Sequence, residues 1–400
     1  MKIRNSPTVL RTALIGLALA GAALATSSVV NAAASDGIVV TTPTPAESSN
    51  WRGITYGNGT FVAVATGGTN RVMTSTDGVA WTAHAASEAN EWTNVAYGNN
   101  VFVAVSPSGT NRVMTSPDGS TWTARTAAAV RDWKSVTFGN GLFVAVAYSG
   151  GDVMTSPDGI TWTSHSIGIG NDYYGLAYGN GVFVALANTG TYRVVTSPDG
   201  VTWTGRTAAE AQPWQNVTFG NGKFVAVAAS SNRVMSSTDG ITWTASAASY
   251  TGYWQSVAAG GGYFMAISSS GTDRLMVSTD GSTWVSLSTT ASNWESIAYG
   301  DGKFVGVSNI GTPLVIRAAL PTTTTTLAPT TTVAPTTTVV ISTTSLAAAT
   351  TIAPTTTKPV AVVAAALPST GSNETALLLV AAGVLLLGVF ITTRRRGYTL

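Results

Sequence analysis

Six aspartates recur along the middle of the chain, and each stands in the same local pattern. A serine lies two residues before each aspartate, a glycine follows it directly, and a tryptophan comes four residues after it. The six are Asp77, Asp118, Asp158, Asp199, Asp239 and Asp280. A carboxylate can act as a general acid or base, ligate calcium, or accept hydrogen bonds from the backbone N–H groups of a turn. The choice between these roles depends on the elements that carry the aspartates.

Few other residues could carry chemistry. Cysteine is absent, which excludes disulfides, thiolate metal sites and a cysteine nucleophile. The two histidines, His84 and His165, occupy corresponding positions of two repeats and are too far apart to ligate one metal ion. We therefore expect no metal site and no cofactor. Residues 33–370 contain 14 Lys/Arg and 17 Asp/Glu, a net charge of about −3, so nucleic acid is not an expected partner.

Aromatic residues define an internal repeat of about 40 residues. One series is Trp51, Trp92, Trp133, Tyr173, Trp214, Trp254 and Trp294, with spacings of 41, 41, 40, 41, 40 and 40. The second series is Trp81, Trp122, Trp162, Trp203, Trp243 and Trp284. The two series account for all twelve tryptophans. Such regular self-similarity is typical of repeat architectures.

Each repeat divides into four short apolar strands joined by turns. In the first repeat we predict strands a to d at residues 51–56, 61–65, 71–75 and 80–83. Gly57-Asn58-Gly59 and Asp77-Gly78 supply the tight turns a–b and c–d. Four strands in about 40 residues is the period of a β-propeller blade. The sequence therefore predicts an all-β, seven-bladed β-propeller of four-stranded blades, over residues 36–320.

The seventh repeat is incomplete, and its missing part lies at the other end of the domain. The repeat that begins at Trp294 lacks the Asp-Gly-x-x-Trp half. Asp36-Gly37 begins a matching stretch in which Val40 takes the tryptophan position. Val40 precedes Trp51 by 11 residues, the interval that separates Trp81 from Trp92. We predict that the N-terminal strand closes the last blade, which leaves the ring no open end.

Ring closure also bears on the six aspartates, because equivalent copies spread round a ring cannot converge on one substrate. We interpret them as structural: Ser and Asp bond the c–d turn, and the following Trp packs between blades. These elements resemble the Asp-box repeats of sialidase-like and related propellers, over blades one to six. A sialidase-type enzyme would need three converging arginines, a tyrosine nucleophile and a carboxylate base. The arginines Arg71, Arg112, Arg193, Arg233 and Arg274 instead recur at the start of strand c. We expect no catalytic residues and no enzymatic activity.

The two ends of the chain read as targeting signals. Residues 1–32 combine basic residues, an apolar run and a small-residue cleavage site, which predicts a secretory signal peptide. Near the C-terminus stand Leu367, Pro368, Ser369, Thr370 and Gly371, then an apolar stretch at 376–391 and a basic tail at 392–400. This order resembles the sorting signal of sortase substrates. The resemblance implies cleavage between Thr370 and Gly371 and covalent attachment of Thr370 to peptidoglycan. A plain C-terminal membrane anchor is the alternative.

Residues 321–366 are rich in threonine and proline and contain a single charge, so we predict an extended wall-spanning linker. The chain would then display its propeller on a Gram-positive-type cell surface, with sortase and peptidoglycan as its partners.

Specific function must come from positions where the repeats differ. We expect the d–a and b–c loops to line one face of the propeller and to carry the side chains that the repeats do not share. The candidate binding-face residues are Arg125, Arg131, Asp172, Tyr192, Arg206, Glu210, Tyr250 and Tyr253. The first hypothesis is a non-enzymatic adhesin or scaffold that binds an extracellular protein or glycan. A lectin-like propeller with equivalent sites between blades and, third, a sialidase-like hydrolase with a charged cluster on the loop face remain alternatives.

Overall fold

The computed structural model describes residues 35–321, and every regular element in that range is a β-strand. No helix within these residues is long and apolar enough to cross a membrane. The predicted signal peptide, sorting motif, apolar segment and basic tail lie outside the described residues, as does the predicted linker beyond Pro321. The domain boundaries proposed for those regions therefore stay predictions.

The strands form seven four-stranded sheets, which we call blades 1 to 7. Blade 1 contains β2 (Trp51–Gly57), β3 (Thr60–Ala65), β4 (Val72–Ser75) and β5 (Thr82–His84). Blade 2 contains β6 (Asn94–Gly98), β7 (Val101–Val105), β8 (Val113–Ser116) and β9 (Thr123–Arg125). Blade 3 contains β10 (Trp133–Gly139), β11 (Leu142–Ala147), β12 (Asp152–Ser156) and β13 (Thr163–Ser166). Blade 4 contains β14 (Tyr173–Gly179), β15 (Val182–Ala187), β16 (Val194–Ser197) and β17 (Thr204–Arg206).

The remaining blades follow the same plan. Blade 5 contains β18 (Trp214–Gly220), β19 (Lys223–Ala228), β20 (Ser231–Ser237) and β21 (Thr244–Gly252). Blade 6 contains β22 (Trp254–Gly260), β23 (Tyr263–Ser268), β24 (Leu275–Ser278) and β25 (Val285–Leu287). Blade 7 contains β26 (Trp294–Gly300), β27 (Lys303–Ser308), β28 (Val315–Ala319) and, from the other end, β1 (Val39–Thr41). The predicted all-β, seven-bladed propeller is confirmed.

Each blade begins with a tight antiparallel hairpin between its first two strands. In blade 1, Gly57 pairs with Thr60 across a two-residue turn in which Asn58 has φ 48° and Gly59 has φ 74°. A turn with positive φ at both central residues matches the right-handed twist of the flanking strands, and Asn-Gly tolerates that conformation. The hairpin predicted from the sequence is therefore present, and strands a and b are each slightly longer than predicted.

The N-terminal strand closes the ring, as the sequence predicted. β1 pairs antiparallel with β28 in the register Val39↔Ala319, Val40↔Ala318 and Thr41↔Arg317. On the other side, blade 7 packs against blade 1 in a core that includes Ile54 and Val305. Chain ends far apart in sequence thus form one sheet, and blade 7 has the same four strands as the other blades.

The hydrophobic core lies between the blades. One cluster joins Val62 and Val64 of blade 1 to Trp92, Phe102 and Trp122 of blade 2. Corresponding clusters link the other neighbouring blades around the ring. All seven aromatics of the first series are 0% exposed, so each is a core residue of its blade interface. Burial of one large ring per interface stabilises the ring as a whole.

Candidate functional site

The six repeated aspartates stabilise the turns between strands c and d. In blade 3, Asp158 Oδ1 accepts hydrogen bonds from the backbone N–H groups of Ile160 (2.8 Å) and Thr161 (3.0 Å). Ser156 Oγ donates to the same carboxylate oxygen (3.0 Å) and accepts from the N–H of Gly159 (2.8 Å). The other five turns repeat these bonds. The geometry is that of a turn-forming carboxylate, which supports the structural interpretation.

The glycine of this turn lets the turn contact the preceding blade. Gly159 has φ 75°, and a Cβ at that position would lie 2.6 Å from Val103 Cγ2 of blade 2. The indole N–H of Trp162 donates to the carbonyl of Gly159 (3.0 Å) and its ring joins the core between blades 2 and 3. Serine, aspartate, glycine and tryptophan therefore act as one unit that fixes the turn against its neighbour.

These hydrogen bonds predict an acid-dependent loss of stability. The backbone N–H groups of Thr161 and Ile160 lower the pKa of Asp158, and the equivalent bonds lower the pKa of Asp199 to about 2. A carboxyl whose pKa is lower in the folded state adds stability above the ordinary Asp pKa of about 3.9, and that stability is lost as the pH falls toward 2. At pH 7 we expect Asp158→Asn, which cannot ionise, to cost about 1 kcal/mol or less, because the turn is exposed.

Denaturant melts of the parent and of Asp158→Asn at pH 7, 4 and 2.5 test this expectation. The difference between the two proteins should shrink steadily as the pH falls. A difference that stays constant across the three pH values would contradict a charged turn acceptor.

The eight candidate binding-face residues do not form one cluster. Arg125 and Arg206 end the outermost strands β9 and β17, where each guanidinium donates to a threonine hydroxyl of strand c (both 3.0 Å). The sequence analysis placed both arginines in loops, but strand d extends further along the chain than predicted. Tyr250 likewise lies within β21, and its hydroxyl donates to the carbonyl of Ser270 (3.2 Å).

The other five candidates lie in loops between strands. Arg131 bonds Asp152 (2.6 Å) and Glu210 bonds Arg233 (2.9 Å), so each has a partner on the protein itself. Asp172 is half-buried before β14, and Tyr192 is exposed before β16. Tyr253 alone among the eight lines the central cavity described next.

The residue directly after the first aromatic of each repeat varies around the ring, with glutamine in both blades 5 and 6, and all seven meet at the propeller axis. We call this set the axial ring: Arg52, Thr93, Lys134, Tyr174, Gln215, Gln255 and Glu295. Each member belongs to, or immediately precedes, strand a of its blade. Strand a is the innermost strand, because residues of all seven strands a line one central channel.

The axial ring borders a cavity of about 500 Å³, which we call the axial pocket. Trp133, at the start of β10, and residues of the d–a and b–c loops complete its wall; the loop residues are Thr66, Glu91, Pro107, Asp132, Tyr148 and Tyr253. The volume lies in the range of small-molecule sites. The axial-ring residues were not among those predicted from the sequence, although they stand at a position where the repeats differ. The available signal was a variable position inside an otherwise repeated strand.

One side of the axial ring is an ion pair whose carboxylate is buried. Arg52 Nη1 lies 2.6 Å from Glu295 Oε2, and Asn309 Nδ2 donates to Glu295 Oε1 (2.6 Å). The Glu295 side chain is only 9% exposed, and burial raises its pKa although the charge of Arg52 opposes the shift. Both oxygens of this carboxylate are therefore occupied by protein groups.

The neighbouring part of the ring, on blades 5 and 6, presents amides. Gln215 Nε2 donates to Gln255 Oε1 (3.2 Å), and Gln255 Nε2 donates to Ser269 Oγ (3.3 Å). Gln215 Oε1 is buried and accepts no hydrogen bond from any residue that the structure describes. A buried acceptor without a donor is costly to the folded state.

On blades 3 and 4, across the ring from the ion pair, a lysine lies over an aromatic ring. Lys134 Nζ is 5.3 Å from the centroid of the Tyr174 ring, within cation–π distance. Tyr148 packs edge-on against Tyr174 at 5.2 Å between centroids. Burial lowers the pKa of Lys134 to about 8, with the nearby charge of Arg52 acting in the same direction. The axial pocket thus combines aromatic faces, amides and an amine.

Indole N–H bonds hold the loops around this pocket. Trp92 Nε1 donates to the carbonyl of Glu88, and Trp133 Nε1 to that of Ala129, both at 3.1 Å. In each case the acceptor lies four residues earlier, in the d–a loop that precedes strand a. Trp92 and Trp133, which belong to the first aromatic series, therefore each fill the core and position a d–a loop beside the axial pocket.

Within residues 35–321 no group of three or more histidines and carboxylates is arranged to hold a metal ion. His84 Nε2 lies 2.8 Å from Thr74 Oγ1, and His165 Nε2 lies 3.0 Å from Thr155 Oγ1, so each histidine bonds within its own blade.

Comparison with known proteins gives one sequence match and several likenesses of fold. Residues 359–396 match the family model of the LPXTG cell wall anchor motif. No curated protein is significantly similar to the chain in sequence. The anchor motif implies processing by sortase and covalent attachment to peptidoglycan, on the surface of a Gram-positive-type cell.

Solved structures resemble the propeller at low identity. A virginiamycin B lyase from Staphylococcus aureus is 11% identical with a TM-score of 0.62, over 71% of this chain and 99% of that one. YCF48 from Cyanidioschyzon merolae is 16% identical with a TM-score of 0.55, over 71% and 98%. The GH74 enzyme of Niastella koreensis is 16% identical with a TM-score of 0.51, over 68% and 43%. At these identities the likeness establishes the fold alone: a propeller on a chain that carries a cell wall anchor.

Proposed function

We propose that this chain is a non-enzymatic binding protein, displayed on the cell wall, whose axial pocket holds the ligand. One observation carries the proposal: seven side chains of six different types, one from each blade, converge on a single cavity. The other positions of strand a carry the same or similar residues in most blades. A site that recognises one ligand needs such non-equivalent groups, because equivalent groups can offer only equivalent contacts.

The burial of repeated tryptophans argues against the lectin-like alternative, in which equivalent sites lie between blades. That alternative needs repeated aromatic faces open to solvent. The tryptophans Trp122, Trp162, Trp243 and Trp284 are at most 9% exposed and pack in the cores between blades. We therefore favour one axial site over several peripheral ones. A glycan remains a suitable ligand there, because Tyr148 and Tyr253 are exposed at the pocket wall and could stack on a sugar ring.

The hydrolase alternative draws support from the charged groups of the axial ring. Glu295 has a raised pKa, a property of many general acids. Against this role, both of its oxygens bond protein groups. The sialidase-like version also needs three converging arginines, whereas Arg52 is the one arginine among the described residues that line the axial pocket. We infer that the Asp-box resemblance reflects turn structure, and at the identities found, the lyase and GH74 likenesses do not extend to activity.

The binding site can be located by comparing axial variants with outer-strand variants. A glycan array and a panel of immobilised extracellular proteins, probed with the displayed protein, should first identify a ligand. Gln215→Ala and Tyr253→Ala should then weaken binding at least about tenfold, equivalent to 1.4 kcal/mol, since each removes a pocket contact. Arg125→Ala and Arg206→Ala, in outer strands, are the matched controls and should bind as the parent does.

Two outcomes would contradict the proposal. Loss of binding in the outer-strand variants alone would move the site to the rim of the propeller. Chemical conversion of the ligand, detected by mass spectrometry, would replace the binding role with an enzymatic one.

Wall attachment has its own test. We propose that sortase cleaves between Thr370 and Gly371, as the match to the LPXTG anchor motif suggests. Thr370→Ala should therefore leave the protein extractable by detergent, whereas the parent should be released only by enzymes that digest peptidoglycan. Ser369→Ala is a suitable control, because the motif does not specify this position. Covalent attachment of the Thr370→Ala protein would refute the assignment of the cleavage site.

A further inference from the structure

The described part of the chain contains three lysines, and one of them differs from the other two. Lys223 Nζ donates to the carbonyl of Asp280 (2.8 Å), and Lys303 Nζ bonds Asp301 Oδ2 (2.5 Å). Lys134 faces the axial pocket. Among residues 35–321, no ion pair or hydrogen bond engages its amine, and its close polar contact is the π face of Tyr174.

The surroundings of Lys134 lower the pKa of its amine, so a larger fraction of it is neutral near pH 8 than of an ordinary lysine. Burial against the ring and loop residues removes water from the ammonium group, and Arg52 on β2 adds a like charge. Glu295 on β26 opposes these effects, but its carboxylate is already paired with Arg52. Together they lower the pKa of Lys134 to about 8, compared with an ordinary lysine at about 10.4.

Other titratable groups around the pocket do not reverse this shift. Tyr174 on β14 has a raised pKa because it is buried, so its hydroxyl stays protonated near neutral pH. Glu91 and Asp132 stand at the pocket wall in the loops before strands a, with Tyr148 and Tyr253. None of these carboxylates lies within ion-pair distance of Lys134 Nζ.

We propose that Lys134 is a nucleophilic amine that captures small aldehydes or ketones as a reversible imine in the axial pocket. A desolvated lysine beside another cation is the arrangement that makes amines nucleophilic near neutral pH. The proposal rests on the axial pocket being the ligand site, and it adds a covalent step to binding.

The chemistry needs no further reagent. The lone pair of the neutral Lys134 Nζ forms a bond to the carbonyl carbon, and the carbonyl oxygen takes up the proton that the nitrogen loses. The resulting hydroxyl leaves as water with the second proton of the nitrogen, which gives the imine, and water reverses the reaction. Nothing is oxidised or reduced.

The rest of the pocket indicates the class of carbonyl compound. Gln215 and Gln255 line the pocket with their hydrogen-bonded amides. Tyr148 and Tyr253 provide aromatic faces. Amide acceptors and aromatic faces suit a compound that carries hydroxyl groups, so hydroxylated aldehydes and ketones fit better than purely apolar ones.

Reductive trapping tests the proposal with glycolaldehyde as the probe. The full-length protein is incubated at pH 7.5 with glycolaldehyde and sodium cyanoborohydride, and adducts are located by peptide mapping. We expect the adduct on Lys134 to form at least about tenfold faster than adducts on Lys223 or Lys303, because more of the Lys134 amine is neutral at this pH. The Lys134 rate should level off above about pH 8, whereas the other two rates should keep rising.

Variants separate nucleophilicity from simple exposure. Lys134→Arg keeps the charge and the stacking on Tyr174 but should give no adduct in the pocket, while Lys223→Arg should leave the Lys134 adduct unchanged. Glu295→Gln removes the charge that raises the Lys134 pKa, so the pH at which the rate levels off should fall. Thermal melts confirm that each variant is folded.

Equal labelling of the three lysines, or a Lys134 rate that rises through pH 10, would overturn the proposal. These results are distinct from failure of the proposed function, because an unreactive Lys134 is compatible with ligand binding that still depends on Gln215 and Tyr253.

Discussion

A chain that lacks residues 36–42 should lose about 4 kcal/mol of stability or form oligomers. The deletion removes β1 and leaves β28 as an unpaired edge in blade 7. It abolishes three ladder pairs, each with hydrogen bonds worth about 1 kcal/mol, and removes the packing of Ile38 and Val40 on the core of blades 6 and 7. Denaturant melts and size-exclusion chromatography measure the two effects, since an exposed edge invites pairing with another chain.

A substitution inside β1 provides the matched control. Val39 is 58% exposed, so Val39→Ser keeps the backbone pairing and should be nearly as stable as the parent. Addition of a synthetic peptide of residues 36–42 should restore stability to the deleted chain. If the deleted chain were as stable and monomeric as the parent, the shared blade would not be what holds the ring closed.

Trp92→Ala should cost about 3–5 kcal/mol, the range for truncation of a large aromatic core residue. Trp92 is 0% exposed, packs between blades 1 and 2, and donates its indole N–H to the carbonyl of Glu88. The substitution leaves a cavity and frees the d–a loop. A denaturant melt at neutral pH gives the free energy of unfolding.

The equivalent tryptophan of blade 7 separates packing from hydrogen bonding. Trp294 is equally buried, but its Nε1 has no hydrogen-bond partner among the described residues. Trp294→Phe should therefore cost about 1 kcal/mol less than Trp92→Phe, because only the latter loses a hydrogen bond. Equal costs would mean that the indole bond to the loop contributes nothing to stability.

The architecture of the propeller was predictable because its determinants are local and repeated. Asn58-Gly59 requires only its own backbone conformation to form a hairpin, and Ser156-Pro157-Asp158-Gly159 forms its turn from bonds within five residues. The first aromatic occurs seven times along the chain, which predicts seven blades. The half-repeat at Asp36 identified the strand that closes the ring.

The predicted binding residues show where local patterns stop being informative. Arg125 and Arg206 occupy one repeat position at which other blades have different residues, yet they lie on outermost strands and bond within their own blades. Variation between repeats marks both surface drift and function. The distance of a variable residue from the propeller axis distinguishes a candidate site residue from surface drift. The sequence alone does not give that distance.

The cell wall anchor motif, the number of blades, the closing strand and the turn role of the aspartates could be predicted from the sequence, because each follows from a local motif or from spacings along the chain. The candidate site could not be predicted in this way, because it is formed by residues that are distant in sequence. Arg52 and Glu295 stand in the first and last repeats, and they meet because closure of the ring brings blades 1 and 7 together. Nothing in the sequence distinguishes Lys134 from the other lysines. Its pKa is lowered by burial and by the charge of Arg52, which lies two blades away in the ring. Desolvation and convergence are properties of the closed ring, so no single repeat could reveal them.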